Sequence, residues 1–300
     1  MSSSGKNDPS LLRIAAIRFL NPAPLMWDFE HPPLDSVLAR RYSLQFMMPA
    51  QCAVSLELPF DAPGAADIGL IPVAALATTP GLRIIPGCAI AARTRVRSIL
   101  LVRRASTQLQ HIRTVAADTS SRASLTYARI LFRQWWNPEA EFVAHAPNLD
   151  AMLATSDSAI LIGDPALFAL EDRKAREQRT GEKLVYHDLA AEWIALTGLP
   201  WVSAVWAIRE EALLRTGLSL DQLEQDFNLS RDHGLQHLDE LVDEWAARLP
   251  LSADTICTYL TTNIHYLLDD DCLDGLKRFF ELAESNHLLP AYSLDQPITA

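Results

Sequence analysis

The 300-residue sequence contains no Gly-x-Gly-x-x-Gly turn, no P-loop and no Gly-x-Ser-x-Gly elbow. Dinucleotide, nucleotide and serine-hydrolase readings therefore lack support. Cysteine is scarce: Cys52, Cys88, Cys257 and Cys272 stand far apart with no CxxC pair. That argues against a disulfide framework or a zinc site and fits reduced thiols. The eight histidines show neither HExxH nor paired-ligand spacing, so no metal and no cofactor are expected. Cationic excess is also missing. With 26 Lys and Arg against 37 Asp and Glu, the net charge is −11, which argues against binding to nucleic acid or to an anionic membrane surface. No apolar run reaches the length of a membrane span. Segment 1–10 is polar, and the apolar run from Leu11 is broken by Arg13 and Arg18. The expectation is a flexible tail, no export and a soluble cytoplasmic protein.

What is present is a large apolar content, 49%, enough for about two domains. Leu12–Ile17 reads as a strand ending at Phe19-Leu20-Asn21-Pro22. A helix near Leu34–Arg41, a strand Ser43–Met48 and a helical Gln51–Glu57 follow, then a buried strand Ala66–Pro72 and the helix Val73–Thr78. Leu82–Ile85, Ala89–Ala92 and Val96–Val102 read as further strands. After Arg103 the pattern restarts, with strands at Thr114–Ala117, Glu141–Ala144 and Ser158–Asp164 and helices at Ser124–Trp136, Asn148–Thr155 and Pro165–Leu170. The charged Glu171–Lys183 reads as a helix end and loop. Leu184–Asp188 is a strand, Leu189–Thr197 a helix stopped by Gly198-Leu199-Pro200, and Trp201–Ile208 a strand. Beyond Arg209 the chain reads as almost wholly helical. This alternation predicts an α/β fold with mostly parallel sheets, in two halves joined near Arg103 and Pro200 across a cleft.

Ligands in such folds gather at the carboxyl ends of strands. Five turns compete for that edge: Asn21, Ile71-Pro72, Ser98, Asp118–Ser124 and Gly163-Asp164. The run Thr119-Ser120-Ser121-Arg122-Ala123-Ser124 opens a helix, where free N–H groups and hydroxyls suit a carboxylate, although one hydroxyl capping the helix is the commoner role. Asn21 either offers its amide to a ligand or sets an Asx turn before Pro22. Ser98 is either a satisfied buried hydroxyl or a ligand donor. As bases, Asp118 and Asp164 would have to face the cleft with raised pKa values; accepting backbone N–H bonds is the favoured role for both. Arg122 either pairs with a substrate carboxylate or faces solvent. Trp135, Trp136, Trp193, Trp201 and Trp206 fit core or junction packing, and His145, His187 and His265 each stand alone and read as structural.

Several of these segments occur in a recognisable series: Phe19-Leu20-Asn21-Pro22-x-Pro24-Leu25, Ala66-Asp67-Ile68-Gly69-Leu70-Ile71-Pro72-Val73, Val96-Arg97-Ser98 and Asp118-Thr119-Ser120-Ser121-Arg122-x-Ser124. Leu161-Ile162-Gly163-Asp164, Glu192-Trp193-x-x-x-Thr197-Gly198-Leu199-Pro200 and Tyr259-Leu260-Thr261-x-Asn263-Ile264-x-Tyr266 continue it. Together, over roughly Leu12 to Leu289, the chain resembles the chorismate dehydratases of the futalosine route to menaquinone. Ala123 departs from the threonine more usual there, and Pro22-Ala23 from more polar residues.

The resemblance implies a two-lobed fold like the type II periplasmic binding proteins, with 11–102 and 205–300 in one lobe and 103–204 in the other. It implies chorismate as the small-molecule substrate and dehydration to 3-[(1-carboxyvinyl)oxy]benzoate. Asn21 and Ser98 would carry the chemistry, while Ser120, Ser121, Arg122, Ala123 and Ser124 with Gly163 and Asp164 would bind substrate. Two alternatives share the fold: a non-catalytic small-anion receptor, disfavoured by the missing export signal, and 1,4-dihydroxy-6-naphthoate synthase, disfavoured by the serine-rich turn with its arginine.

Overall fold

A computed structural model describes residues 11–294; the expected tail 1–10 and residues 295–300 lie outside the described residues. Its strands, in chain order, are β1 (Leu12–Ala16), β2 (Tyr42–Phe46), β3 (Ile68–Pro72), β4 (Leu82–Ala92), β5 (Ile99–Arg104) and β6 (Thr114–Ala117). β7 (Glu141–Ala144), β8 (Ser158–Ile162), β9 (Leu184–Asp188), β10 (Trp201–Arg209) and β11 (His265–Leu268) complete them. One sheet has the order β11-β4-β10-β3-β1-β2, the other β7-β6-β8-β5-β9.

The sheets are mixed rather than mostly parallel. β1 runs parallel to β2 and β3, and β6 parallel to β7 and β8. β10 is antiparallel to β3 and β4, β11 to β4, and β5 to β8 and β9. The cause is the double crossing between sheets. A parallel neighbour needs a crossover that returns along the same sheet. β5 and β10 instead enter from the other sheet at the cleft edge, so they run away from it, against strands that end there. The exchange happens in the linkers before these strands. Ile99–Val102 therefore pair in the second sheet and Trp201–Ala204 in the first, a few residues from the expected lobe bounds.

Three further segments differ from expectation. Leu82–Ile85 and Ala89–Ala92 belong to one continuous strand, because Pro86-Gly87 bends it without breaking it. Gly87 has φ +85, and a Cβ there would meet the Asn228 amide at 2.3 Å. Glu171–Thr180 is not loop but the second half of one 17-residue helix, Asp164–Thr180, closed by left-handed Gly181. The largely helical C-terminal part contains β11, which pairs with β4.

The core follows strand periodicity. Ile99, Leu101 and Ile160 join the large cluster, whereas Leu100, Val102, Ala159 and Leu161 join a second cluster on the opposite face of the sheet. The tryptophans expected in junction packing include Trp193 and Trp201, both fully buried. Tyr127 stacks on Trp201 at 3.7 Å and meets Trp193 edge-on at 4.8 Å and Phe279 at 4.3 Å. This cluster ties the helix Arg122–Trp135 of the second half to β10 and to the C-terminal helix Asp270–Ser285. No helix among the described residues is long and apolar enough to cross a membrane.

Candidate active site

A cavity of about 790 Å³ opens where the two sheets face each other, and all five expected turns line it: Asn21, Pro72, Ser98, Asp118 with Thr119–Ser121 and Ser124, and Gly163-Asp164. Strand ends bring them there. β1, β3, β6 and β8 all run toward this edge, and each hands a turn to it.

The serine-rich turn caps its helix and still leaves N–H groups without an acceptor among the described residues. Ser121 caps the helix Arg122–Trp135 by accepting from the Ser124 N–H at 3.3 Å, and the Ser124 hydroxyl donates back to it at 3.0 Å. Asp118 accepts the Ser120 N–H at 2.9 Å and the Ile162 N–H at 3.3 Å, locking the turn to the end of β8. The N–H groups of Ser121, Arg122 and Ala123 have no acceptor among the described residues. They form the positive end of a 14-residue helix.

Arg122 and Ala123 do not line the cavity with their side chains. Arg122 is exposed and Ala123 fully buried. With Ser121 at the cap, the helix turn carries these side chains away from the opening, so any contribution to binding comes through their backbone.

The two strand-end aspartates, expected to behave alike, part company. Asp118 is the hydrogen-bonded turn residue. Asp164 follows the cap, left-handed Gly163, and its carboxylate has no hydrogen-bond partner among the described residues. Burial pushes its pKa up, with no compensating cation. The first turn of this helix is a second N-terminus aimed at the same cavity.

Ser98 is held from three sides. Its carbonyl accepts the Gly163 N–H at 2.7 Å. The preceding Arg97 adopts φ +62, and its N–H and that of Val96 donate to Asp188 at 2.6 and 3.2 Å, while its guanidinium meets Glu171. The Ser98 Oγ accepts from the Tyr259 hydroxyl at 2.9 Å. Tyr259 stands in a π-helical turn, Tyr259–Asn263. Burial keeps its phenol protonated, far above the usual tyrosine range, so the Ser98 proton is left over for another acceptor. The Asn21 amide makes no hydrogen bond to the described residues. The Asx-turn alternative is therefore not realised, and the amide stands on the cavity wall.

Sequence reasoning missed Tyr259 and His145. His145 lies one residue beyond β7, and its Nδ1 donates to the Ala146 carbonyl at 2.7 Å, while Nε2 makes no hydrogen bond to the described residues. The signal was available: β7 is parallel to β6 and ends at the same edge. A metal-type constellation was also missed. Ligand atoms of His265, Asp269 and Cys272 lie within 4.8 Å of one another. However, the Arg93 guanidinium donates to Asp269 at 2.7 Å and to Asp271 at 2.9 Å, so the cluster is already neutralised by a cation. None of its residues lines the cavity.

Among the described residues the cavity wall carries no lysine or arginine, and its titratable side chains are Asp118, His145, Asp164 and Tyr259. Such a site can orient an anion through backbone N–H groups, hydroxyls and an amide, and can exchange protons.

Comparison with known proteins follows the same line. A family model described as "Menaquinone biosynthesis" matches residues 12–285. The chorismate dehydratase of Thermus thermophilus is 30% identical over 208 residues, covering 67% of this chain and 73% of that protein. Among solved structures, the alkanesulfonate-binding protein of Xanthomonas axonopodis pv. citri superposes with a TM-score of 0.64 at 16% identity, covering 95% of this chain and 96% of that one. A Candida albicans gene product described as having the generic periplasmic binding protein fold gives 0.61 at 13% identity, covering 94% and 92%. These two likenesses establish the periplasmic-binding-protein fold.

Proposed function

The chain belongs to the menaquinone-biosynthesis family, and from that premise we propose that it is a hydro-lyase converting chorismate to 3-[(1-carboxyvinyl)oxy]benzoate on the futalosine route, in the cytoplasm. The observation that carries this reading is the set of unpartnered donors around one cavity with no lysine or arginine among its described lining residues: the Asn21 amide, the Ser98 hydroxyl, the Ser121–Ala123 N–H groups and the Asp164 N–H. A dianion needs donors on both ends, and these come from both sheets. The lobes in this reading are 11–98 with 199–294, and 99–198.

The reaction removes a ring hydroxyl and the proton on the neighbouring carbon, and aromatisation drives it. The proton is acidified through a ring double bond conjugated to the ring carboxylate. Donors on that carboxylate stabilise the enolate-like transition state, a role we give to the Ser121–Ala123 N–H groups with the Ser120 and Ser121 hydroxyls, the Ser124 hydroxyl being spent on Ser121. Asn21 and Ser98 orient the enolpyruvyl group and the departing hydroxyl. The proton passes to the substrate's own enolpyruvyl carboxylate. Asp118 is occupied by two N–H groups, and the protein supplies orientation and exclusion of water.

Incubation of the purified protein with chorismate should yield the aromatic enol ether. Asn21→Ala should cut turnover by about 10²–10³-fold, the usual cost of one transition-state donor, with an unchanged melting temperature. Near-normal turnover in that variant refutes the assignment of Asn21. Tight chorismate binding without product would make the protein a receptor.

A further inference from the structure

We propose that Asp164 is the general acid of this site, delivering a proton to the ring hydroxyl as it leaves. The inference rests on the dehydratase reading and adds to it the group that protonates the leaving oxygen. Three observations support it. Asp164 lines the cavity beside Ser98, whose carbonyl is bonded to the adjacent Gly163 N–H at 2.7 Å. Its carboxyl makes no hydrogen bond to the described residues, whereas Asp118 across the same wall is consumed by two. Among the described residues no lysine or arginine lines the cavity to keep a second anion ionised beside a dianionic substrate.

Its place in the first turn of a helix favours the ionised carboxylate by about 0.3–1 kcal/mol, burial works the other way, and the surrounding side-chain cations add nothing to the former. Arg97, in the linker into β5, is taken by Glu171 on Asp164's own helix. Asp188, at the end of β9, is occupied by the N–H groups of Val96, Arg97 and Ala191. Arg176, further along the helix, is paired with Asp150 and Glu182. Tyr259 remains a neutral phenol, and His145 stands on the second sheet's edge with Nδ1 tied to its own loop. Burial already raises the Asp164 pKa in the free protein, and a neighbouring dianion raises it further. A carboxyl that holds its proton in the complex donates to a leaving group; it cannot act as the base.

The step balances. The ring C–H pair becomes the new ring π bond, and its proton sits on the enolpyruvyl carboxylate. The C–O bond breaks with its electrons on oxygen, which takes the Asp164 proton and departs as water. The carboxylate left on Asp164 is reprotonated from solvent as the product releases its own proton, and no redox partner is required.

The test compares the wild type with Asp164→Asn, which keeps the shape and a hydrogen-bond donor but carries no acidic proton. The wild-type kcat should fall as pH rises through the Asp164 pKa in the complex. Asp164→Asn should lower kcat by about 10²–10⁴-fold, change KM by no more than about threefold, and abolish that alkaline limb. Asp164→Glu should recover part of the turnover. Calorimetric titration with the aromatic product, in two buffers of different ionisation heat, should show proton uptake by the wild type and none by Asp164→Asn. An active wild type with an Asp164→Asn variant of equal kcat, an unchanged pH profile or equal proton uptake would overturn the role of Asp164 alone. A wild type that makes no aromatic product would overturn the dehydratase reading and this inference with it.

Discussion

Replacing Tyr259 by phenylalanine removes one oxygen and tests how much the site depends on a fixed serine. The Tyr259 hydroxyl donates to the Ser98 Oγ at 2.9 Å in a fully buried setting. It cannot be the acceptor in this pair while the cavity uses the serine proton, so it sets the direction in which Ser98 donates. A neutral buried hydrogen bond contributes about 0.5–1.5 kcal/mol net. Taking about 1 kcal/mol as the bias toward the productive Ser98 rotamer, its loss dilutes that rotamer about fivefold, since 1.4 kcal/mol corresponds to a factor of ten. The expected result for Tyr259→Phe is therefore a several-fold fall in kcat with little change in KM, and a modest drop in melting temperature.

The assay that separates positioning from general weakening is a double-mutant cycle. Ser98→Ala alone should lose about 10²–10³-fold in kcat if the hydroxyl meets developing charge. Once Ser98 is gone the Tyr259 hydroxyl has nothing to aim, so Tyr259→Phe on that background should cost almost nothing further. If the two losses multiply instead, Tyr259 acts independently of Ser98 and the reasoning fails.

Two further variants address the proton acceptor and the frame. His145→Gln should retain kcat within a few-fold, because in the proposed reaction the substrate carboxylate takes the ring proton; a loss of about 10²–10⁴-fold would move the base to His145. Gly275→Ala should lower the melting temperature by overpacking, worth about 1–3 kcal/mol. A Cβ there would stand 2.4 Å from the Pro200 carbonyl, where the C-terminal helix crosses the linker into β10. A raised melting temperature, as helix propensity alone predicts, would show that this close approach does not constrain the fold.

The alternation of short apolar runs and amphipathic helices was enough to place most elements, because most strands are buried on at least one face and most long helices carry a side-chain cap; the exceptions include the exposed β7 and the helix Asp164–Thr180, which opens on Gly163. Ser121, Asn148, Asp188, Ser219 and Asp269 all cap the helices they precede. Strand direction was not legible, since it depends on which sheet a strand enters, a long-range fact that local pattern does not encode. The continuity of β4 through Pro86-Gly87 was hidden for a similar reason. Gly87 is needed there by Asn228, 141 residues away in sequence. At the site, the five strand-end turns were brought together, with the side chains of Arg122 and Ala123 left off the cavity wall, but the division between Asp118 and Asp164 depended on which N–H groups lay nearby. Tyr259 was invisible as a site residue because it reaches Ser98 across 161 positions.

How an acidic chain with a net charge of −11 would hold the proposed dianionic substrate, with no lysine or arginine among the described residues lining its cavity, is a question of magnitudes. Each helix N-terminus contributes about 0.3–1 kcal/mol, rising to about 2 kcal/mol when partly buried, and each hydrogen bond to a charged oxygen about 1.5–3 kcal/mol. Two helix ends with three or four such bonds thus offset the desolvation of one or two carboxylates. An ionised Asp164 at roughly 5 Å from a substrate carboxylate would oppose this by about 3 kcal/mol at an effective dielectric of about 20, erasing one or two of those bonds. The same loss vanishes if Asp164 binds a proton. The proposed substrate donors and the proposed acid therefore form one design: a cavity lined by no lysine or arginine among the described residues would bind a dianion best with Asp164 in the acid form.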